Sequence, residues 1–184
     1  MISLKSIEFS LPTKIIFGTE VVDRIGEIAK EYSDKVFLIS DGKIMRKNGI
    51  LGKVENLLEL SSVEYILYEN VDNESAHLVV DEIATLVRQS RVKYIIAVGG
   101  SSVINTAKAA AYLGKNKGKI AEFLNGGIGI DESIPVIAIP TIPGIQQQIN
   151  DEFVLNDTND NIKKIYRNPS LFPFLSIIDP KLTA

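Results

Sequence analysis

Apolar residues fall along this chain in two rhythms. Short continuous runs such as Lys35–Ser40 (KVFLIS), Val63–Tyr68, Tyr94–Val98 and Pro135–Ile139 (PVIAI) suit strands buried on both faces. Between them the spacing becomes helical. Val21, Ile25 and Ile28 form a stripe within Glu20–Lys30, and Leu51, Val54, Leu57 and Leu58 form another within Gly49–Leu60. Leu78, Ile83, Leu86 and Val87 form a third within Ser75–Gln89, with Asn73 or Ser75 as its cap, and Ser102–Leu113 is a fourth helix. The segment Ile7–Phe17 reads as two β-like pieces broken at Pro12, a strand pair feeding the first helix. Toward the end come a loop (PTIPGIQQQ), a β-like Phe153–Leu155, a polar turn at Asn156–Asn161, two lysines and an apolar Phe174–Ile178. Such alternation of β and α predicts a Rossmann-like α/β fold: an open, mainly parallel sheet with helices on both faces, plus a small N-terminal β element.

At 184 residues one domain, 1–184, is the expectation. The formal charge of -3 and the absence of any strongly basic stretch argue against phosphate-neutralising nucleic-acid binding. There is no cysteine, which excludes disulfides and thiolate metal sites within this sequence. No run of about 18 apolar residues suggests a membrane span. The protein therefore reads as soluble and cytoplasmic.

Chemistry concentrates where a strand runs into a helix. Gly99 and Gly100 allow a tight turn and close backbone approach, and Ser101 and Ser102 add hydroxyls where helix N–H groups favour an anion. Phosphate binding and plain helix capping by Ser102, with Asn105 in a capping network, both fit this pattern. In an open α/β sheet, ligands bind beyond the carboxyl ends of the strands, and Asp41, Gly99 and Thr141 each follow such an end. Asp41 suits an adenosine ribose and would repel a 2′-phosphate; an Asp-Gly turn explains it as well. Thr141 with Gly144 suits pyrophosphate or ribose. Lys108 reads as a solvated helix lysine or as a group reaching toward the ligand, and Lys163 or Lys164 as a phosphate partner or as surface charge.

With these fragments in order (PTKIIFG, LISDG, IIAVGGSSVINTAKAAA, IPVIAIPTIPG and LSIIDPKLTA), the chain resembles the N-terminal domain of the iron-containing (group III) alcohol dehydrogenases, relatives of glycerol dehydrogenase and dehydroquinate synthase. The resemblance implies NAD or NADP as cofactor, NAD preferred. Asp41 would stand near the adenosine ribose, Gly99, Gly100, Ser101 and Ser102 around the pyrophosphate, Thr141 and Gly144 in a second cofactor loop, and Lys163 nearer the nicotinamide. Asn105 and Lys108 take the Asp and Lys places of the family pattern GGGSxxDxAK. It also implies a helical domain carrying iron or zinc on Asp and His ligands, in the same or another chain, and dimers through the Ile7–Phe17 edge. Two departures stand out: Ser101 replaces a glycine, and Ile142 to Gln148 replace most of PTTxGTGSE. With a lone His77, this sequence holds no metal cluster of the family kind, so catalysis by it alone is not expected. Two functions follow: the cofactor domain of a metal-dependent dehydrogenase, or a noncatalytic nucleotide-binding or assembly module.

Overall fold

The computed structural model describes residues 10–71, 77–157 and 162–183. Six strands form one sheet: β1 (Lys14–Phe17), β2 (Lys35–Ser40), β3 (Glu64–Tyr68), β4 (Ile95–Gly99), β5 (Val136–Pro140) and the late strand Leu175–Ile178. Before that last strand the chain makes an antiparallel hairpin, β6 (Glu152–Asp157) and β7 (Ile162–Arg167), so Leu175–Ile178 is β8. The sheet order is β1-β8-β5-β4-β2-β3, and every neighbouring pair is parallel.

Parallel strands need crossovers, and except between β5 and β8, where the hairpin intervenes, these are helical: α1 (Ile25–Tyr32), α2 (Gly42–Lys47), α3 (Ile50–Leu60), α4 (His77–Ser90), α5 (Ser101–Lys115) and the short α6 (Ile120–Leu124). Successive strand residues face opposite sides. Phe37, Ile39, Ile95 and Ala97 pack with α4, α5 and the hairpin, while Val36, Leu38, Ile96 and Val98 pack with α1 and α3. Both faces being covered, the strands are continuous apolar runs, as the sequence pattern required.

Several elements differ from the sequence reading. The helix that follows the glycine motif starts at Ser101 with Gly100 as its cap, two residues before the expected Ser102 cap. In α4 the buried face is His77, Val80, Ile83, Ala84 and Val87, whereas Leu78 is 65% exposed; Asn73 and Ser75 lie outside the described residues. The two lysines after the polar turn belong to strand β7, which the sequence pattern hid because only alternate residues pack inward. Part of that turn, 158–161, is outside the described residues. Of Ile7–Phe17, Lys14–Phe17 is a described strand, at the end of the order of described strands, and the other expected piece, Ile7–Phe9, lies outside the described residues. No described helix is long and apolar enough to cross a membrane.

From β2 the chain moves outward to β3; from β4 it moves the other way, to β5. The segments leaving β2 and β4 therefore diverge to opposite faces of the sheet, α2 and α3 on one and α5 on the other. That divergence opens a crevice beyond Ser40 and Gly99, the usual ligand position in such sheets.

Candidate functional site

Three chain segments meet at the crevice. Asp41 ends β2 and caps α2, its Oδ1 accepting from the Ile44 N–H at 3.3 Å. Gly42 must be a glycine here: a Cβ would stand 2.6 Å from the Glu69 carbonyl oxygen, to which the Gly42 N–H donates at 2.9 Å. Gly99 and Gly100 end β4. A Cβ at Gly99 would meet the branched Val103 side chain at 2.6 Å, so the turn closes tightly on its own helix. No side chain caps α5 at Gly100, leaving the positive end of a 15-residue helix facing the crevice. Thr141 follows β5, its N–H donating to the Gly99 carbonyl at 3.1 Å.

These segments line a cleft of about 250 Å³ walled by Asp41, Met45, Gly100, Ser101, Ser102, Thr141 and Ile142. A second hollow, of about 540 Å³, shares Asp41 and Val71 with it and runs past Lys43, Arg46 and Glu69. Thr141 is 8% exposed, and its Oγ1 has no hydrogen-bond partner. An unpaired buried hydroxyl costs about 1–3 kcal/mol, and Thr141 is one of the residues that wall the cleft. Gly100 and the first turn of α5 border this space on one side and Thr141 and Ile142 on the other.

The structure thus brings together Asp41, Gly100, Ser101, Ser102 and Thr141, with Gly99 supporting the turn beneath them. Other residues expected at the site stand elsewhere. Gly144 lies on the exposed top of the loop after Thr141 with φ 76°, a conformation that favours glycine. Lys163 is exposed on β7, outside the cleft wall. Lys164 is bound instead to the buried Asp157 at 2.6 Å and to Asn125 Oδ1 at 2.7 Å.

The reading of Lys108 as a solvated helix lysine is overturned. It is 1% exposed, and its Nζ donates to the Gln147 carbonyl at 3.1 Å, the Asn150 carbonyl at 2.8 Å and Asn150 Oδ1 at 2.7 Å. Burial pulls its pKa down to about 7, against the opposing pull of Glu152 and Asp151. Asn105 is corrected in the same way: it joins no cap, and its Oδ1 accepts from the Val154 N–H at 3.2 Å. An alanine-rich helix looks exposed in sequence; here the loop and hairpin that follow β5 cover it.

Sequence reasoning missed two contributors. Ile142 lies over Gly100, with its Cδ1 at 2.6 Å from where a Gly100 Cβ would be. Arg46 lines the Asp41 hollow, yet its guanidinium is held by Glu55 and Glu69, each at 2.7 Å. Neither residue has a sequence signal, because each acquires its role through contacts distant along the chain. His77 is buried, with Nδ1 4.0 Å from Asp157. Among the described residues no group of three or more His, Cys, Asp or Glu could hold a metal ion, so these residues do not fit the family's metal. A larger hollow of about 730 Å³ lies at the opposite end of the sheet, beside Lys93, Pro135 and Phe174. None of the residues with buried unpaired polar atoms among the described residues lines it.

Comparison with known proteins places this geometry in a family. The family model for iron-containing alcohol dehydrogenase matches residues 12–180. NADH-dependent butanol dehydrogenase B of Clostridium acetobutylicum is 29% identical over 176 residues, covering 96% of this chain and 45% of that protein. The crystal structure of NADH-dependent butanol dehydrogenase A from Thermotoga maritima superposes with a TM-score of 0.90 at 28% identity, covering 97% of this chain and 45% of that one. An archaeal alcohol dehydrogenase from a Red Sea brine pool gives 0.88 at 26% identity, over 98% of this chain and 48% of its own. The chain spans about half the length of the curated relatives it matches. It belongs to the iron-containing alcohol dehydrogenase family and has the Rossmann-like α/β fold of these solved structures.

Proposed function

We propose that the cleft between Asp41, Gly100–Ser102 and Thr141 binds NAD(P), with NAD preferred, and that residues 1–184 form the cofactor domain of a metal-dependent alcohol dehydrogenase. The observation that carries this reading is the start of the 15-residue helix α5, with no side-chain cap at Gly100, bordering a cleft beyond the carboxyl ends of the strands that Asp41 and Thr141 also wall. The first-turn amides of α5 and the Thr141 hydroxyl would hold the diphosphate. Asp41 would accept from a ribose hydroxyl and disfavour a 2′-phosphate. Bound there, the cofactor supplies hydride transfer at its nicotinamide ring. A helical domain with the metal ligands, in the same or another chain, would complete the enzyme, and the exposed edge of β1, with Phe17 71% exposed, would pair with a second copy.

Ile142 over Gly100 favours a second reading, a nucleotide-binding module without dehydrogenase activity. Calorimetric titration of the 184-residue chain with NADH, NADPH and ADP tests the shared premise. Saturable binding, with NADH tighter than NADPH, is expected; no saturation at millimolar nucleotide would remove both readings. Hydride transfer to an aldehyde by the chain joined to the metal-binding half of a family member separates them.

A further inference from the structure

Lys108 is a buried cation with no carboxylate in contact; its acceptors are two backbone carbonyls and one amide oxygen, all on residues 147–150. Three acceptors match the three N–H bonds of an ammonium group, and a neutral amine would leave one of them unmatched. The chain from Thr141 to Asn150 is fixed at its start by the Thr141 N–H on the Gly99 carbonyl. At its end it is fixed by Lys108 and by the Ser176 hydroxyl on the Gln148 carbonyl. Between these anchors, residues 142–144 are exposed, and Ile142 lies over Gly100. Lys108 belongs to α5, the same helix whose first turn faces the cleft. One side chain therefore ties the far anchor of the second loop to the helix that carries the first.

We propose that Lys108 is a positioning residue that clamps the far end of the 141–150 loop onto α5 and so sets how residues 142–144, Ile142 among them, lie over the Gly100–Ser102 turn at the nucleotide cleft. The proposal rests on the nucleotide reading of that cleft. The charged groups facing the ammonium are Asp151 and Glu152, both in or beside the segment it holds, and Glu152 is already paired with Arg167 at 2.7 Å. Loss of the Lys108 proton would remove a donor and loosen the clamp.

The test uses Lys108→Met, which keeps the length and apolar stem, with two readouts. Without nucleotide, amide hydrogen exchange over residues 141–150 is expected to speed up about tenfold while β2 and β4 keep their protection, and ADP affinity is expected to fall about tenfold. Because the sequence has no cysteine, Lys108→Cys can be alkylated specifically in denaturant and refolded. Aminoethylation, which rebuilds an ammonium, should restore both readouts, and carboxamidomethylation should restore neither. In the unsubstituted chain, ADP affinity should fall as pH rises from about 6 to about 8.5, a profile the Met variant lacks. Unchanged loop protection in Lys108→Met, or lost protection with ADP affinity retained, overturns the proposal. Should that variant fail to fold, loop protection in the unsubstituted chain that stays constant across the same pH span, corrected for intrinsic exchange, overturns it equally. If the unsubstituted chain binds no ADP, the nucleotide reading falls, and the exchange data still judge the clamp.

Discussion

Two loops face each other across the cleft, and they are held by different means. The Gly99–Ser102 turn is a local structure: a strand ends, a glycine turns against its own Val103, and a helix begins. The 141–150 loop has little regular structure of its own. Its anchors come from residues 28 to 42 positions away: Gly99, Lys108 and Ser176. The first loop is thus shaped by its own sequence neighbours, and the second is a wall whose position depends on the rest of the domain. Disturbing the first should change binding with the fold intact; disturbing the distant anchors of the second should change both together.

The largest effect is expected at the first loop. The backbone at Gly100, with φ -79° and ψ -169°, accepts any residue, and a Cβ there points toward Ile142 in the cleft. Gly100→Val should therefore fold normally and weaken NADH and ADP by about 10- to 100-fold, the equivalent of an intrusion costing about 1–3 kcal/mol. Unaltered affinity in a calorimetric titration would remove the first loop from the site.

A thermodynamic signature of the second loop comes next. The folded pKa of Lys108, about 7, lies below its ordinary value of 10.5. Between those values the unfolded chain holds the additional proton, so raising pH across that window favours the fold; below about 7 both states carry the proton and this contribution is constant. Denaturant unfolding at a series of pH values should show this rise, and Lys108→Met should flatten it. The fold gains over the same span in which the clamp weakens.

Thr141→Val separates stability from binding. Removing an unpaired buried hydroxyl should leave the free domain unchanged or up to about 1 kcal/mol more stable, while losing one ligand hydrogen bond should weaken ADP roughly fivefold. Lower stability in thermal unfolding would mean that Oγ1 has a partner in the free protein and is not waiting for a ligand. The smallest effect is expected at Ile142. Displacing its side chain from Gly100 to admit a phosphate costs about 0.5–1.5 kcal/mol in rotamer energy, so Ile142→Ala should tighten ADP by about two- to tenfold. Weaker binding would instead make Ile142 a contact for the ligand.

The first loop was legible because each of its parts is a local signal. The apolar run before Gly99, the paired glycines and the helix after them follow one another directly, and Asp41-Gly42 repeats the pattern at the end of β2. The same locality explains the successful placement of β2, β4 and β5, whose two-sided burial leaves an unbroken apolar run. Most of the failures were at residues with distant partners. β7 carries Lys163, Lys164 and Arg167 and became recognisable as a strand only opposite β6. Leu78 continues a helical stripe by spacing yet lies exposed, since the stripe that meets α5 is rotated toward Val80, Ala84 and Val87.

By itself, then, the order of residues determined which segments are strands buried on both faces and where the chain turns with glycine, because those properties depend on neighbours a few positions apart. Only the tertiary structure decided that Lys108 is buried, that Ile142 covers Gly100 and that the Thr141 hydroxyl has no partner. Each of those outcomes depends on which distant backbone atoms lie within hydrogen-bonding or van der Waals reach, and that is fixed when the 141–157 segment packs across α5.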